Sequence, residues 1–300
     1  VIRHFFLGVC ALCLVAGCGT PTAAPPVTSS TSPVTSSTSR APVTSPVAPA
    51  VPRPDHVVVV VEENRSYGEV IGRSDAPYLN TLAGQGALFT ASYAVAHPSE
   101  PNYLALFSGT TQGLSDDSCP HIFPGPNLGA QLLSAGLGFA GYSEGLPAVG
   151  DTVCSAGSYA RKHNPWVDFA TVPAAANQPF RAFPANYASL PAVSFVIPDL
   201  ADDMHDGSVS QGDAWLRAHL DGYAQWARTH HSLLIITWDE DDFSQANQIP
   251  TIIVGASVKP GRYAERIDHY TVLRTLEAAY GLPGIGAAAS VSALTDCWSP

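Results

Sequence analysis

Basic side chains are scarce in this sequence. Fourteen Lys and Arg stand against 25 Asp and Glu in 300 residues, a formal net charge of −11. A chain so short of cations lacks the positive face that nucleic acid or an anionic bilayer would favour, so neither is expected as a direct partner. An anionic ligand would need local help from a metal ion, a helix N-terminus or a few placed cations. Membrane-length apolar runs are missing too: Phe5 to Ala16 holds roughly a dozen residues, too few to span a bilayer as a helix. Between Gly19 and Pro54, charge and large apolar residues are almost absent, which excludes a packed core there.

What is present at the N-terminus fits export. Arg3 and His4 precede the apolar run, and Val15-Ala16-Gly17 lead into Cys18 in the form of a lipobox. Residues 1–17 are expected to be a lipoprotein signal peptide, with the lipid on Cys18. Residues 18–54, with their crude PVTS repeat, form a Pro/Ser/Thr-rich tether too polar to offset its chain entropy by burial. The expected location is the outer face of a bacterial cell membrane, reached only through the lipid anchor. Residues 55–300 are long enough for one domain with a sizeable core. Cys10, Cys13 and Cys18 belong to the leader and anchor. Of the remaining three, Cys119 and Cys154 lie in loop-like surroundings and are the preferred disulfide pair, leaving Cys297 odd.

The domain opens on His56–Val61, a β-branched run without alternation, as in a strand covered on both faces. Pro77–Gln85 is predicted helical, with Pro near its start and Gly86 after its end. Ala87–Ala96 is a predicted strand, Pro101–Phe107 a helix closed by Gly109, Leu128–Ser134 a helix and Gly138–Tyr142 a strand. The second half repeats the alternation: strands at Val193–Ile197, Leu233–Trp238 and Thr251–Val254, helices at Asp213–Arg228 and Tyr270–Tyr280. This order predicts an α/β fold, a three-layer α/β/α sandwich with a mostly parallel sheet. Ligands of such sheets bind beyond the carboxyl ends of the strands. Four polar clusters fall there: EEN, HPSEPN, PDLADDMHD and WDEDD.

Ser99 lies at a strand-to-helix junction. A serine there serves most simply as an N-cap, yet the same geometry points its hydroxyl at the positive helix end, where free N–H groups bind phosphate. Asn102, three residues on, is placed to donate to a phosphate oxygen. Serine needs activation, and no Gly-x-Ser-x-Gly frame surrounds Ser99, so metal assistance is preferred over an esterase elbow. Glu63-Asn64 and Asp239-Glu240 supply hard oxygen ligands suited to Mg²⁺, Ca²⁺ or Mn²⁺, although acidic loops are also common as solvated surface. His205 follows a strand end and is placed to protonate a leaving alkoxide. Lys162 and His163 lie in a cationic loop suited to phosphate, and His269 precedes the last helix.

Several of these segments, in order, resemble one family. HVVVVVEENRSYGEVIG, HPSEPNYLALFSG, YARKHNPWVDF, DDMHDGS and LLIITWDEDD are similar to motifs of the phosphoesterase family of bacterial acid phosphatases and phospholipases C, within the alkaline phosphatase superfamily. The stretch from about His56 to Pro283 resembles the secreted acid phosphatases of that family. The resemblance implies an alkaline phosphatase-like fold and a phosphoserine intermediate on Ser99, which also contacts the metal. It further implies Glu63, Asn64, Asp239 and Glu240 as metal ligands, Asn102 as a phosphate ligand and His205 as an active-site histidine. Glu240 departs from the family pattern, which commonly has Asp there. The expected activity is that of an exported acid phosphatase acting on a phosphoinositide, nucleotide or sugar phosphate as a monomer. A phospholipase C or other phosphodiesterase is the alternative, and a non-catalytic phospholigand-binding lipoprotein a third reading.

Overall fold

The run of valines in β1 (His56–Glu62) occupies the middle of the sheet, buried along nearly its whole length. Alternation sends Val57, Val59 and Val61 into one core and Val58 and Val60 into another on the opposite face. The computed structural model describes residues 51–299; the expected signal peptide, Cys18 and nearly all of the expected tether lie outside the described residues.

Nine further strands follow: β2 (Ala87–Tyr93), β3 (Phe139–Ser143), β4 (Ser155–Ala156), β5 (Tyr159–Ala160), β6 (Asn177–Pro179), β7 (Val193–Ile197), β8 (Ser232–Trp238), β9 (Gln248–Gly255) and β10 (Gly261–Asp268). Eight of the ten form one sheet in the order β10-β2-β9-β8-β1-β7-β3-β6, while β4 and β5 pair as a separate ribbon. Pairing is parallel except around β9, which runs antiparallel to both β8 and β2. The reversal has a physical cause: the link Asp239–Asn247 is too short for the crossover that a parallel neighbour needs.

Helices cover both faces. The α-helices are α1 (Tyr67–Val70), α2 (Pro77–Gln85), α3 (Ser99–Ser108), α4 (Leu128–Ser134), α5 (Val209–Ala227) and α6 (His269–Ala279). Residues of α3, α4 and α6 join the Val57/Val59/Val61 core, and those of α2 and α5 join the other. The three-layer, mostly parallel sandwich expected from the alternation is therefore present. α3 is buried on every side, so it shows no amphipathic stripe. α5 starts earlier than expected, at Val209, because Ser208 caps it by accepting from Gln211 N–H. Asp213 instead caps α2 from outside, taking Tyr78 and Leu79 N–H at 3.1 and 2.8 Å.

Two departures matter. β10 was not expected, because its mostly exposed Gly261–Asp268 edge carries Arg262, Glu265 and Arg266 rather than an apolar run. Ser99 is not an N-cap: Pro98 takes that position, no side chain caps the helix there, and Ser99 is its first residue. A Cys119–Cys154 disulfide joins the loop after α3 to the loop after β3, and Cys297 is a buried free thiol.

Candidate active site

The carboxyl ends of β1 and β8 lie side by side, with Glu62 opposite Trp238 in the register. The residues immediately beyond them, Glu63 and Asp239-Glu240, therefore meet at one edge of the sheet. The first turn of α3 arrives over the same edge. Ser99, 2% exposed, points its Oγ between two carboxylates, 3.1 Å from Glu63 Oε2 and 3.4 Å from Glu240 Oε1. The longer Glu240 side chain thus reaches the serine. Glu62, by alternation, turns to the other face of β1, buried with both carboxylate oxygens unpartnered, and burial followed by the charges of Asp203 and Glu63 pushes its pKa well up.

Glu63 is held from both sides. Its Oε1 accepts the Tyr103 hydroxyl at 2.5 Å and faces His163 Nε2 at 3.0 Å, which leaves Oε2 aimed at Ser99. The other His163 nitrogen, Nδ1, faces Asp203 Oδ2 at 3.2 Å, and the imidazole stacks on the Tyr103 ring. Burial by itself would push the Glu63 pKa up, but the His163 charge and the hydrogen bonds from His163 and Tyr103 outweigh it and bring it down to about 2. Burial would likewise lower His163, yet the charge of Glu63 and the bonds to Asp203 and Glu63 raise it to about 9. His163 is accordingly an imidazolium clamped between two carboxylates.

The acids from β8 are in the opposite condition. Asp239 is buried; desolvation and then the charges of Glu63 and Glu240 push its pKa well up. Glu240 is raised to about 8 by burial and the charges of Glu63 and Asp117. Asp239 Oδ1 accepts the Asn64 N–H at 3.1 Å, aided by a left-handed Asn64 (φ 51°), but Oδ2 is buried without a partner. Carboxylates crowded out of water, with an orphaned oxygen and a hydroxyl among them, are a donor set compatible with a hard divalent cation. Among the described residues, donor atoms already within 4.8 Å of one another belong to Glu63–His163–Asp203 and to Glu144–Asp199–Asp202. In the first set His163 offers its two nitrogens to opposite carboxylates. That arrangement matches an ion-paired buttress for Glu63 better than a cation cage.

Other expected residues fall differently. Asn102 spends its amide on the chain before α3: Oδ1 accepts Val95 and Ala96 N–H, and Nδ2 donates to Ala96 and Pro98 carbonyls. It shapes that loop and has no free N–H for phosphate. The α3 N-terminus is also less open than expected, since Asp117 Oδ1 takes Glu100 N–H at 2.9 Å and Pro101 has none. His269 sits behind the site and binds the Asp239 carbonyl at 2.7 Å; burial pushes its pKa down, so it is a neutral support rather than a phosphate cation. Lys162 ion-pairs with Asp117 at 2.9 Å. His205 lies at the rim, 29% exposed, with Nδ1 2.8 Å from Asp206 and its ring 6.1 Å from that of His163.

Four residues were missed. His97 Nδ1 is 2.6 Å from Glu240 Oε2 and its Nε2 3.3 Å from Asp241 Oδ1. Asp203, Tyr103 and Asp241 complete the surroundings. His97 and Asp203 stand inside the clusters HPSEPN and PDLADDMHD, so the signal was there, but nothing in spacing said which member would turn inward. A Gly-x-Ser-x-Gly run does occur at Gly141–Gly145. Its Ser143 ends β3, buried and bonded to Asn164 Oδ1 at 2.8 Å, with no strand-to-helix elbow after it.

Comparison with known proteins bears on this arrangement. Residues 72–283 match the model of the Phosphoesterase family. The chain is 58% identical over 255 residues to the phosphatidylinositol-3-phosphatase of Mycobacterium tuberculosis, covering 84% of this chain and 85% of that one. It is 30% identical over 226 residues to an acid phosphatase of Aspergillus fumigatus, covering 68% of this chain and 51% of that protein. The match thus spans about half the length of that fungal relative. Among solved structures, a protein of the alkaline phosphatase superfamily from Vibrio parahaemolyticus superposes with a TM-score of 0.57 at 14% identity, covering 82% of this chain and 72% of that one.

Proposed function

This chain belongs to the Phosphoesterase family, its named relatives are phosphatases, and we propose that it is an exported phosphomonoesterase in which Ser99 is the nucleophile. The observation that carries this reading is the Ser99 hydroxyl, lodged between Glu63 and Glu240 at 3.1 and 3.4 Å on the first turn of α3.

Glu63, Asp239, Glu240, Ser99 and Asn64 would hold a divalent cation, whose chemistry is to make the serine hydroxyl more acidic and to polarise a phosphoryl oxygen. Within the chain, Tyr103 and His163 fix the Glu63 carboxylate so that Oε2 stays on Ser99. Ser99 gives up its hydroxyl proton to solvent, Oγ attacks phosphorus as the ester P–O bond breaks, and the alkoxide leaves toward the rim, where His205 gives it a proton. Water then cleaves the phosphoserine, His205 taking a proton from that water as Ser99 Oγ leaves. Lys162, paired to Asp117, keeps a positive charge close enough to offset part of the rise that burial imposes on the Glu240 pKa and to balance an incoming phosphate.

A phosphoinositide is the substrate class this reading favours, on the strength of the 58% identity to a phosphatidylinositol-3-phosphatase. The sequence Val15-Ala16-Gly17-Cys18 supports export and lipid anchoring through Cys18. Ser99→Ala should lower turnover of an aryl phosphate by roughly four orders of magnitude while the circular dichroism spectrum is retained. Substantial residual turnover in that folded variant would remove Ser99 as the nucleophile. Acid quench during wild-type turnover should trap phosphate on Ser99 and on no other serine.

A further inference from the structure

Phe243 is 78% exposed, more than any other large apolar side chain among the described residues. A single exposed apolar residue is ordinarily unremarked, but this one is held out by a built loop. The buried Asp241 accepts Phe243 N–H at its Oδ1 and the N–H groups of Gln245 and Asn247 at its Oδ2, at 2.8 to 3.0 Å. Asn247 Oδ1 in turn accepts Asp241 N–H at 2.9 Å. Phe243 itself takes a left-handed backbone, φ 65°. Glycine or asparagine tolerates that region, whereas a bulky aromatic is an outlier there. A ring in water on a strained backbone is retained against two costs, so its surface has a use.

Its neighbours say what the use is. One face of the ring stacks on His97, centroids 3.9 Å apart and planes 18° apart. His97 touches Glu240 at 2.6 Å, and Glu240 reaches Ser99 at 3.4 Å. The open face of Phe243 is therefore two side chains from the nucleophile, reached from Ser99 through Glu240 and His97.

We propose that Phe243 is a specificity-determining residue, a flat platform for a cyclic polyol leaving group such as a cyclitol. The axial C–H face of such a ring packs on an aromatic face while its hydroxyls stay in water, and a side chain with two torsions loses little entropy in serving it. An open-chain alcohol presents no comparable face. This rests on the phosphomonoesterase reading above.

The test compares wild type, Phe243→Ser and Phe243→Trp on two soluble esters, inositol monophosphate and glycerol phosphate, with the same divalent metal. Phe243→Ser should lower the cyclitol-to-glycerol ratio of kcat/KM roughly three- to tenfold, mainly through KM, and Phe243→Trp should restore it. An unchanged ratio overturns the platform and leaves the phosphatase reading intact. Equal losses on both esters also overturn it, since Phe243 would then act only through His97 and Glu240. A loss confined to phosphatidylinositol 3-phosphate in phosphatidylcholine vesicles overturns it in favour of a bilayer contact. Wild type inactive on both esters and on aryl phosphate would instead remove the phosphatase reading, and the platform with it.

Discussion

Two acidic clusters sit on the same edge of the sheet, and only one has the makings of an active site. Beyond β1 and β8, Glu63, Asp239 and Glu240 are buried and press on one another, and Glu63 and Glu240 flank a serine hydroxyl. Beyond β3 and β7, Glu144, Asp199 and Asp202 are half-buried and already provided for. Glu144 Oε2 accepts Asp199 N–H, Asp199 Oδ1 accepts Ala201 and Asp202 N–H, and Asp202 Oδ1 accepts the Gln211 amide. The second cluster brings its donor atoms within 4.8 Å of one another, so convergence of carboxylates does not by itself mark the site. Desolvation without internal partners does: it leaves Asp239 Oδ2 orphaned, whereas in the other cluster the chain itself supplies the donors.

That contrast can be broken most directly by removing one charge on each side. Asp239→Asn should cut turnover of an aryl phosphate by about three orders of magnitude and abolish stimulation by added Mg²⁺ or Mn²⁺ after chelation. Asp199→Asn should leave both within about twofold of wild type. Equal losses would mean that the two clusters act as one site. A smaller effect is expected at the rim, where His205→Ala should lower kcat by roughly a hundredfold on esters of poorly acidic alcohols and less on an aryl phosphate, whose leaving group needs no proton. Indifference to the leaving group would take the general acid role away from His205.

Stability against pH sharpens the comparison further, and the sign follows from the shifts. His163 is raised from 6.5 to about 9, so its contribution is fully present below pH 6.5 and lost as pH climbs through 9. Glu240, raised from 4.5 to about 8, disfavours the folded state over the range between those values as it ionises. Glu63, lowered to about 2, acts the other way and is lost only as pH falls from 4.5 through 2. Chelated protein should therefore lose Tm steadily from about pH 5 to 9, and divalent metal should restore most of it. His163→Gln should remove the portion between 6.5 and 9, up to about 3 kcal/mol. A flat profile in chelated wild type would contradict the buried, mutually repelling acids. The smallest change belongs to Glu144→Gln: burial raises this carboxyl, so its loss should trim only a small part of the fall in Tm with rising pH and leave the metal response unchanged.

The sequence alone determined the order of the long buried strands and of α2 to α6, because β1, α2, α4, β7 and β8 each carry a local apolar pattern with turn residues at their ends; it did not show α1 or the short β4, β5 and β6. It also placed the acids, His205 and Ser99 at strand termini, since strand direction in an alternating α/β chain sends all such termini to one edge. It could not place β10, whose charged edge has no apolar signal. Nor could it say that Asn102 would be used up by its own loop, or His269 by the Asp239 carbonyl. Those outcomes depend on which buried backbone groups are left needing a partner once the chain has packed, and that demand has no local pattern. Tertiary structure decided the rest for the same reason. The pairing of His163 with Glu63 and Asp203, and of His97 with Glu240, joins residues far apart in the chain, and only their shared exclusion from water gives the contacts their strength.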